Sequence, residues 1–151
     1  MKLDAIDCKV LDRLQKYGRE SASKIADQLN VSVPTITERI RKLQESGVII
    51  GFQAILDPTL IGLDVAAVIT IISGSSQYYK EITLQAKDTP EVLHCFSTTG
   101  NGSHTILVST KNSKTLEELL RKIQSWPGVT RTETQIILSW YKNGTILPIP
   151  E

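Results

Sequence analysis

The amino-acid sequence predicts an α+β protein in which an N-terminal helix-turn-helix domain, winged-helix-like in type, is joined to a C-terminal ferredoxin-like βαββαβ sandwich. Three observations predict this fold. Two short amphipathic segments with a tight turn between them lie within residues 21–51, and the apolar period changes after Gly62-Leu63. The remaining chain shows the order strand, helix, strand, strand, helix, strand, which is the order of a split βαβ sandwich.

The first two helices are predicted from capping residues and apolar spacing. Asp4 is available as the N-cap of a first helix, whose apolar residues recur at helical spacing: Ile6, Val10, Leu14 and Tyr17. After the exit at Gly18–Glu20, Ser21 can cap a second helix, whose apolar residues are Ala22, Ile25, Ala26 and Leu29. Each helix therefore has one face that can be buried.

A third helix should begin at Val33, because Ser32 can cap it and Pro34 is tolerated in a first turn, where its missing N–H has no partner anyway. On a helical wheel the apolar residues expected to pack inward are Val33, Ile36, Ile40 and Leu43. The residues expected to face outward are Pro34, Thr35, Glu38, Arg41, Lys42 and Glu45. Short hydrogen-bonding residues near a helix start, with cations further along, suit a DNA major groove. The alternative is an ordinary solvated helix face.

The residues that follow the third helix are mostly apolar. Gly47 should end that helix, and a strand is predicted over Val48–Ile50 and Phe52–Leu56, until Asp57-Pro58 stops it. Such a strand could form the wing of a winged helix or could pair with its copy in a second chain, and the sequence leaves both possibilities open.

The second half predicts four strands and two helices. The strands are expected over Val65–Ile72, Val92–Thr98, Ile106–Ser109 and Val129–Tyr141. One helix carries Tyr79, Ile82 and Ala86; the other, capped by Ser113, carries Leu116, Leu119, Leu120, Ile123 and Trp126. With both helices on one face of the sheet, the other face needs a cover. The same face of a second subunit is the expected cover, so we predict a dimer.

Composition and charge narrow the class of protein. The 151 residues are 40% hydrophobic and 22% charged, and no apolar run reaches the roughly eighteen residues that span a bilayer. The charged N-terminus lacks the apolar core of a signal peptide, so we expect a cytoplasmic protein whose two cysteines are reduced. Because the net charge is only +1, any DNA affinity must arise locally. A single copy should bind weakly, which again favours a dimer.

The two histidines do not predict a metal site. If Asn101-Gly102 forms a two-residue hairpin turn, His104 pairs with Thr99 and lies about 17 Å from His94, even though Cys95 is adjacent to the latter. We therefore predict no metal ligands in this chain.

The sequence resembles the Lrp/AsnC, or feast/famine, family of transcriptional regulators. The matching stretches occur in the family's order from one end of the chain to the other: Leu3–Asp7, Gly18-Arg19, Ile25-Ala26, Val31-Ser32, Arg39–Leu43, Gly47–Phe52, Asp57-Pro58, Gly62-Leu63, Thr99-Gly100, Pro127–Val129 and Thr132–Thr134. The resemblance implies a helix-turn-helix DNA-binding domain at residues 1–51, a linker strand and hinge at 52–63, and an effector-binding and oligomerisation domain at 64–151.

The resemblance also implies dimers that assemble further, often to octamers, and a small effector such as an amino acid, with no cofactor required. The effector-binding residues that it implies are Thr98, Thr99, Gly100, Asn101, Gly102, Ser103 and His104 in the hairpin loop, with Thr132 and Thr134 in the last strand. Glycines at 100 and 102 let backbone N–H groups approach a carboxylate. Many relatives carry an acidic residue where this chain has Ser103, which leaves open the identity of the effector and the need for one.

The combined observations predict a sequence-specific transcriptional regulator and not an enzyme. The expected DNA-binding residues are Ser32, Pro34, Thr35, Glu38, Arg39, Arg41 and Lys42. Among them the two hydroxyls and the carboxylate should face base edges, and the three cations should be directed at phosphates or guanines. The main alternative is a tetrapyrrole decarboxylase-like enzyme on the same two-domain plan, for which two separated histidines offer little acid-base chemistry. A further alternative is an effector-binding protein whose helix-turn-helix serves only in assembly.

Overall fold

The structure is a computed structural model that describes residues 2–144 and 146–150. The chain forms two compact units. The first contains the chain up to Ile55 together with the stretch that begins at Lys142, and the second is Leu56–Tyr141. Across the described residues, none of the helices has the length and apolar character needed to cross a membrane.

Three helices build the first unit, and each begins where its capping residue predicts. They are α1 (Ala5–Lys16), α2 (Ala22–Leu29) and α3 (Val33–Glu45). Asp4 accepts hydrogen bonds from the backbone of Ile6 and Asp7, while the Asp7 carboxylate accepts from the Asp4 N–H, so the two form a capping box. Ser21 and Ser32 cap α2 and α3 through their hydroxyls, which accept from the backbone N–H groups of Lys24 and Thr35.

The core of the first unit lies where the three helices meet. Its buried members are Val10, Leu14, Ile25, Ala26, Ile36 and Leu43. Val33 was predicted to join them but is 42% exposed. Ile36 and Leu43, which are fully buried, define the inward direction of α3, and a residue at the start of the helix lies at the margin of that face. Val33 therefore belongs to the outer surface of α3.

The strand predicted after α3 is absent from the described residues 48–56. Gly47 ends α3 as expected, with a φ of 76°, and the Ile49 N–H then donates to the Leu43 carbonyl. A strand requires a partner backbone, and no neighbouring segment in the described chain pairs with this one. Several large apolar side chains are consequently exposed, including Ile50, Phe52, Ile55 and Leu56. The prediction of a strand is wrong for the single chain.

The second unit has the predicted order of strands and helices. Its elements are β1 (Val65–Ser73), α4 (Tyr79–Lys87), β2 (Val92–Ser97), β3 (His104–Thr110), α5 (Ser113–Gln124) and β4 (Val129–Ile136). The four strands form an antiparallel sheet in the order β2-β3-β1-β4. This topology confirms the predicted α+β class with a ferredoxin-like second domain.

One face of the sheet is buried beneath α4 and α5. Alternate residues of the two central strands form that core, which also contains Ile82 of α4, three residues of α5 and the Trp126 side chain just after α5; the three are Leu116, Leu119 and Ile123. The intervening residues point to the opposite face, where Val68 and Leu107 are paired across β1 and β3 and are only half-buried. Phe96 of β2 is 51% exposed on the same face. The sheet therefore presents apolar side chains on the side away from its helices.

Three predicted boundaries in this unit need correction. Asn112, not Ser113, caps α5, because its side chain accepts from the Thr115 N–H while Thr115 Oγ1 accepts from the Asn112 N–H. The last strand ends at Ile136 rather than Tyr141: the Ile137 N–H still donates to the Ala66 carbonyl of β1 (2.9 Å), and the strand does not continue from there to Tyr141. In the β2–β3 hairpin His104 pairs with Ser97, not Thr99, so the connection is a loop of residues 98–103 and not a two-residue turn.

The stretch after Lys142 groups with the first unit through a specific amide contact. The Gln15 side chain accepts a hydrogen bond from the Leu147 N–H (2.7 Å) and donates one to the Leu147 carbonyl (3.1 Å). An apolar depression lined by Leu3, Leu11 and residues 48–52 adjoins this contact. The segment containing Leu147 thus packs on the surface of α1.

Candidate nucleic-acid interface and effector loop

The outer face of α3 is held outward by the burial of Ile36 and Leu43 on its other side. The exposed residues of this face are Val33, Pro34, Thr37, Glu38, Arg41, Lys42, Gln44 and Glu45. Of the predicted DNA-binding residues, Thr35 and Arg39 are instead half-buried. Thr37 is a candidate that the sequence prediction missed. A helical wheel centred on the buried pair, rather than on Val33, would have included it.

Hydroxyl groups near the start of α3 are linked to one another and to the backbone. Ser32 Oγ accepts a hydrogen bond from the Thr35 N–H (3.3 Å) and lies 2.7 Å from Thr35 Oγ1. Thr37 Oγ1 donates to the Val33 carbonyl (3.1 Å). These contacts fix the side-chain rotamers at the helix start, so the hydroxyls form an ordered polar surface beside Pro34.

Arg41 is held on the outer face of α3 by two carboxylates. Its Nε and Nη2 donate to the two oxygens of Glu38 at 2.8 and 2.7 Å, and its Nη1 donates to Glu45. The hydrogen bond from Arg41 is the main cause that lowers the pKa of Glu38 to about 2, and the pKa of Arg41 is raised in turn. Lys42 Nζ lies 3.6 Å from Glu38. The four charges cancel, so this face has no net positive charge of its own.

Arg39 connects α3 to α1 instead of facing outward. Its Nη1 lies 2.7 Å from Asp4 Oδ2 and 2.7 Å from Asp7 Oδ1, and its side chain is 25% exposed. The hydrogen bonds to Asp4 and then to Asp7 raise the pKa of Arg39. The contact of Arg39 with DNA stays a prediction, and in the free chain its guanidinium pairs with the carboxylates that cap α1.

The loop of residues 98–103 connects β2 to β3 and packs against β1. Gly102 approaches β1 so closely that a Cβ there would lie 2.2 Å from Thr70 Cγ2 and 3.0 Å from the Ile71 carbonyl oxygen. Gly100 has a φ of 107°, which only glycine adopts without strain. Thr98 and Thr99, with Asn101, are exposed at the tip of the loop. Gly102 thus allows the loop to lie close to β1, and Gly100 allows the positive φ that the loop requires.

Ser103 and His104 make contacts toward the interior of the second unit. Ser103 Oγ lies 2.9 Å from His104 Nδ1 and donates to the Ile71 carbonyl (3.3 Å). His104 is 1% exposed and its ring packs edge-to-face against Tyr79 at a centroid distance of 5.0 Å. His104 alternates with Ile106 and Val108 along β3, so its ring lies on the helix-covered face of the sheet, and its contact with an effector stays a prediction.

Thr132 and Thr134 lie on β4 at the same end of the sheet as Ser103. Thr132 is paired with Ile71, and the Ser103 N–H donates to the carbonyl of that same residue from the other side. Gln124 of α5 donates to Thr132 Oγ1 (3.2 Å). Thr134 pairs with Ile69 and is exposed. Thr132 therefore lies about two strand spacings, roughly 10 Å, from the loop, and Thr134 lies two residues further along β4.

The residues that could ligate a metal ion do not cluster within the described chain. Among residues 2–144 and 146–150 there is no group of three or more histidine, cysteine, aspartate or glutamate side chains suited to a metal. Cys8 and Cys95 are both free and half-buried.

The buried His104 should make the stability of the second unit depend on pH. Burial lowers the pKa of His104 below its usual value of 6.5, so between pH 7 and 5.5 the unfolded chain binds more protons than the folded one. The free energy of unfolding therefore loses nothing to His104 above pH 6.5, and it decreases as the pH falls below that value. Thermal melting across this range should show a decline that His104→Asn reduces and that replacing the exposed His94 with glutamine leaves intact. An equal decline in both variants would contradict the assignment.

Comparison with known proteins covers nearly the whole chain. Residues 3–50 match the family model described as winged helix-turn-helix DNA-binding, and residues 65–147 match the one described as Lrp/AsnC ligand binding domain. The HTH-type transcriptional regulator FL11 of Pyrococcus horikoshii is 39% identical over 147 residues, which is 97% of each chain. The regulatory protein AsnC of Haemophilus influenzae is 34% identical over 135 residues, covering 89% of this chain and 90% of that one.

Solved structures have the same fold. E. coli AsnC superposes with a TM-score of 0.91 at 31% sequence identity, covering 98% of this chain and 100% of that chain. The Neisseria meningitidis transcriptional regulator NMB0573, solved as a complex with L-Met, gives a TM-score of 0.92 at 24% identity over 97% of each chain. The second similarity is at the level of fold alone.

Proposed function

Because the chain belongs to the Lrp/AsnC family of transcriptional regulators, with a DNA-binding helix-turn-helix and a ligand-binding domain, we propose that it binds a specific operator as a homodimer or larger assembly and responds to a small effector such as an amino acid. The observation that carries this proposal is the outer face of α3. That face is exposed and mainly polar, and two fully buried residues, Ile36 and Leu43, fix its direction.

The start of α3 is the part that enters the major groove in this proposal. Val33 and Pro34 offer apolar contact to thymine methyl groups, and Ser32, Thr35 and Thr37 offer hydroxyls to base edges. Glu38, Arg41 and Lys42 follow one to two turns later on the same side. Arg39 is omitted from the predicted set because it pairs with α1, and Val33 and Thr37 are added because both are exposed.

Two features support dimerisation: the outer face of α3 has no net positive charge, and the sheet of the second unit has an uncovered apolar face. A single outer face without net positive charge supplies little of the electrostatic affinity on which DNA binding depends, so two linked copies are needed. The open face of the sheet offers Val68, Leu107 and Phe96 as an apolar surface that a second copy can cover. Dimers would assemble further, for example to an octamer, through additional contacts between them.

The effector in this proposal contacts the exposed part of the loop at residues 98–103. Thr98, Thr99 and Asn101 provide polar side chains there, and Gly100 leaves the backbone open to a carboxylate. Thr132 and Thr134 stand at the same end of the sheet. The hydroxyl of Ser103 is hydrogen-bonded inward, and residues 98–103 contain no acidic side chain to pair with the ammonium group of an amino acid.

The proposed function is tested by selecting DNA from a random pool and repeating the selection with individual amino acids. A palindromic operator with half-sites about one helical turn apart is expected. An amino acid that changes affinity or assembly at that operator identifies the effector. Failure to enrich any sequence at low salt would contradict the proposal.

Lys42 should contribute through a phosphate, and its replacement tests that contact. Lys42→Ala is expected to weaken binding to all sequences alike and to reduce the slope of log affinity against log salt by about 1 per subunit. The matched control is Lys114→Ala, which removes the same charge from the exposed surface of α5 in the second unit. A slope that is unchanged in the Lys42 variant, or reduced equally in both, would exclude the proposed docking face.

A further inference from the structure

The hydrogen bonds of Arg41 leave one part of its guanidinium group free. Arginine has five N–H donors, and three of them are used: Nε and one Nη2 hydrogen by Glu38, and one Nη1 hydrogen by Glu45. Within the described chain the structure shows no partner for the other two, one on each Nη atom. The side chain is 52% exposed, so this remaining pair of donors is accessible to solvent.

A pair of donors on neighbouring nitrogens matches one base edge in particular. In the major groove only guanine presents two adjacent acceptors, O6 and N7, and a bidentate arginine is their most frequent partner. Resting on the DNA-binding function proposed above, we propose that Arg41 is the guanine-specifying residue of the operator half-site and that Glu38 is the positioning residue that orients it.

Local charge favours a base edge over a phosphate as the partner of Arg41. One guanidinium lies between two carboxylates, so the three groups together carry a formal charge of −1. A phosphate brought to the free donors would be repelled by both carboxylates, whereas the guanine edge has no net charge. Lys42 has a single and longer contact to Glu38, 3.6 Å, and can turn to a phosphate more readily.

Glu38 contributes orientation because its contact is bidentate. Two parallel hydrogen bonds of 2.8 and 2.7 Å fix the plane of the guanidinium as well as its position, which a single contact cannot do. The spacing of three residues on one helix allows this pairing without any other element. The plane that contains the free donors is therefore fixed before DNA arrives, and less side-chain entropy is lost on binding.

The test compares base preferences of the wild-type chain with Arg41→Lys and Glu38→Gln, using the same full-length protein in each selection. Wild type is expected to enrich guanine at one position of each half-site. Arg41→Lys keeps the charge but has no fork, so the preference for guanine at that position should fall by about 5–100-fold while non-specific affinity is retained. Glu38→Gln removes one carboxylate, so the guanine preference should weaken while non-specific affinity rises and its salt dependence steepens.

The matched controls are Arg121→Lys and Glu117→Gln, which alter an exposed ion pair of the same kind on α5. Both should leave the guanine preference and the non-specific DNA affinity unchanged. Thermal melting of every variant checks that the fold is intact. If wild type selects an operator but both α3 variants keep its base profile, the assignment of Arg41 and Glu38 is overturned and the proposed function stands. If wild type selects no sequence at all, the proposed function itself fails.

Discussion

Replacing Leu107 with glutamate is expected to produce folded monomers that bind the operator about 100- to 10,000-fold more weakly than wild type. Leu107 lies on β3 on the sheet face opposite α4 and α5, where it is half-buried and paired with Val68. In a two-fold symmetric interface each copy brings the same residue, so the substitution introduces two carboxylates into one apolar contact. Loss of the pairing removes the gain in affinity that comes from linking two copies of α3.

The control for Leu107→Glu is the same change at another partly exposed leucine. Leu84 is 44% exposed on α4, on the helix-covered side of the sheet, so Leu84→Glu should leave the dimer and its DNA affinity unchanged. Sedimentation analysis measures the size of each variant, and a titration with operator DNA measures its affinity. A Leu107 variant that remains dimeric with wild-type affinity would show that this face is not the interface.

Features determined by local chemistry were predictable from the sequence. Asp4, Ser21 and Ser32 cap the three helices of the first unit, because a cap involves only residues two or three positions away. The order of elements in the second unit also followed from period and turn residues, and it led to the correct fold class and family. At Asn112 the same reasoning missed by one residue, since either of two neighbouring polar residues could serve as the cap.

Features that depend on a distant partner were not predictable. The strand expected over residues 48–56 has suitable residues but no second backbone in the single chain. Helical spacing alone placed Val33 inside, whereas its actual environment depends on how α3 tilts onto α1 and α2. The cross-strand partner of His104 depended on whether the hairpin turned in two residues or six, and the longer loop changed that partner from Thr99 to Ser97.

The ion pairs of α3 likewise include some that the local sequence predicts and some that depend on a distant partner. The contacts of Arg41 with Glu38 and Glu45 follow from spacings of three and four residues on one helix. Those of Arg39 join residues 32 and 35 positions apart, which no periodicity reveals. A cation on a DNA-binding helix can therefore serve the fold rather than the DNA, and the difference is measurable.

Replacing Arg39 with methionine is expected to lower the melting temperature of the first unit by roughly 5–10 °C and to weaken DNA binding only through that loss. The change leaves the Asp7 carboxylate, which is 6% exposed, without its cation, while the methionine retains most of the apolar stem. Hydrogen exchange in α1 and α3 should accelerate, because the ion pair joins these helices. Adding Asp7→Asn to Arg39→Met removes the unpaired charge and should recover part of the stability.

The salt dependence of DNA binding distinguishes this role from a phosphate contact. At a temperature where Arg39→Met is still folded, its slope of log affinity against log salt should equal that of wild type, since Arg39 pairs with Asp4 and Asp7 in the free protein and neutralises no phosphate. Lys42→Ala should do the opposite, lowering the slope at an unchanged melting temperature, because Lys42 is 61% exposed and lies outside the helix core. If Arg39→Met lowered the slope and left the melting temperature unchanged, Arg39 would belong to the DNA interface after all.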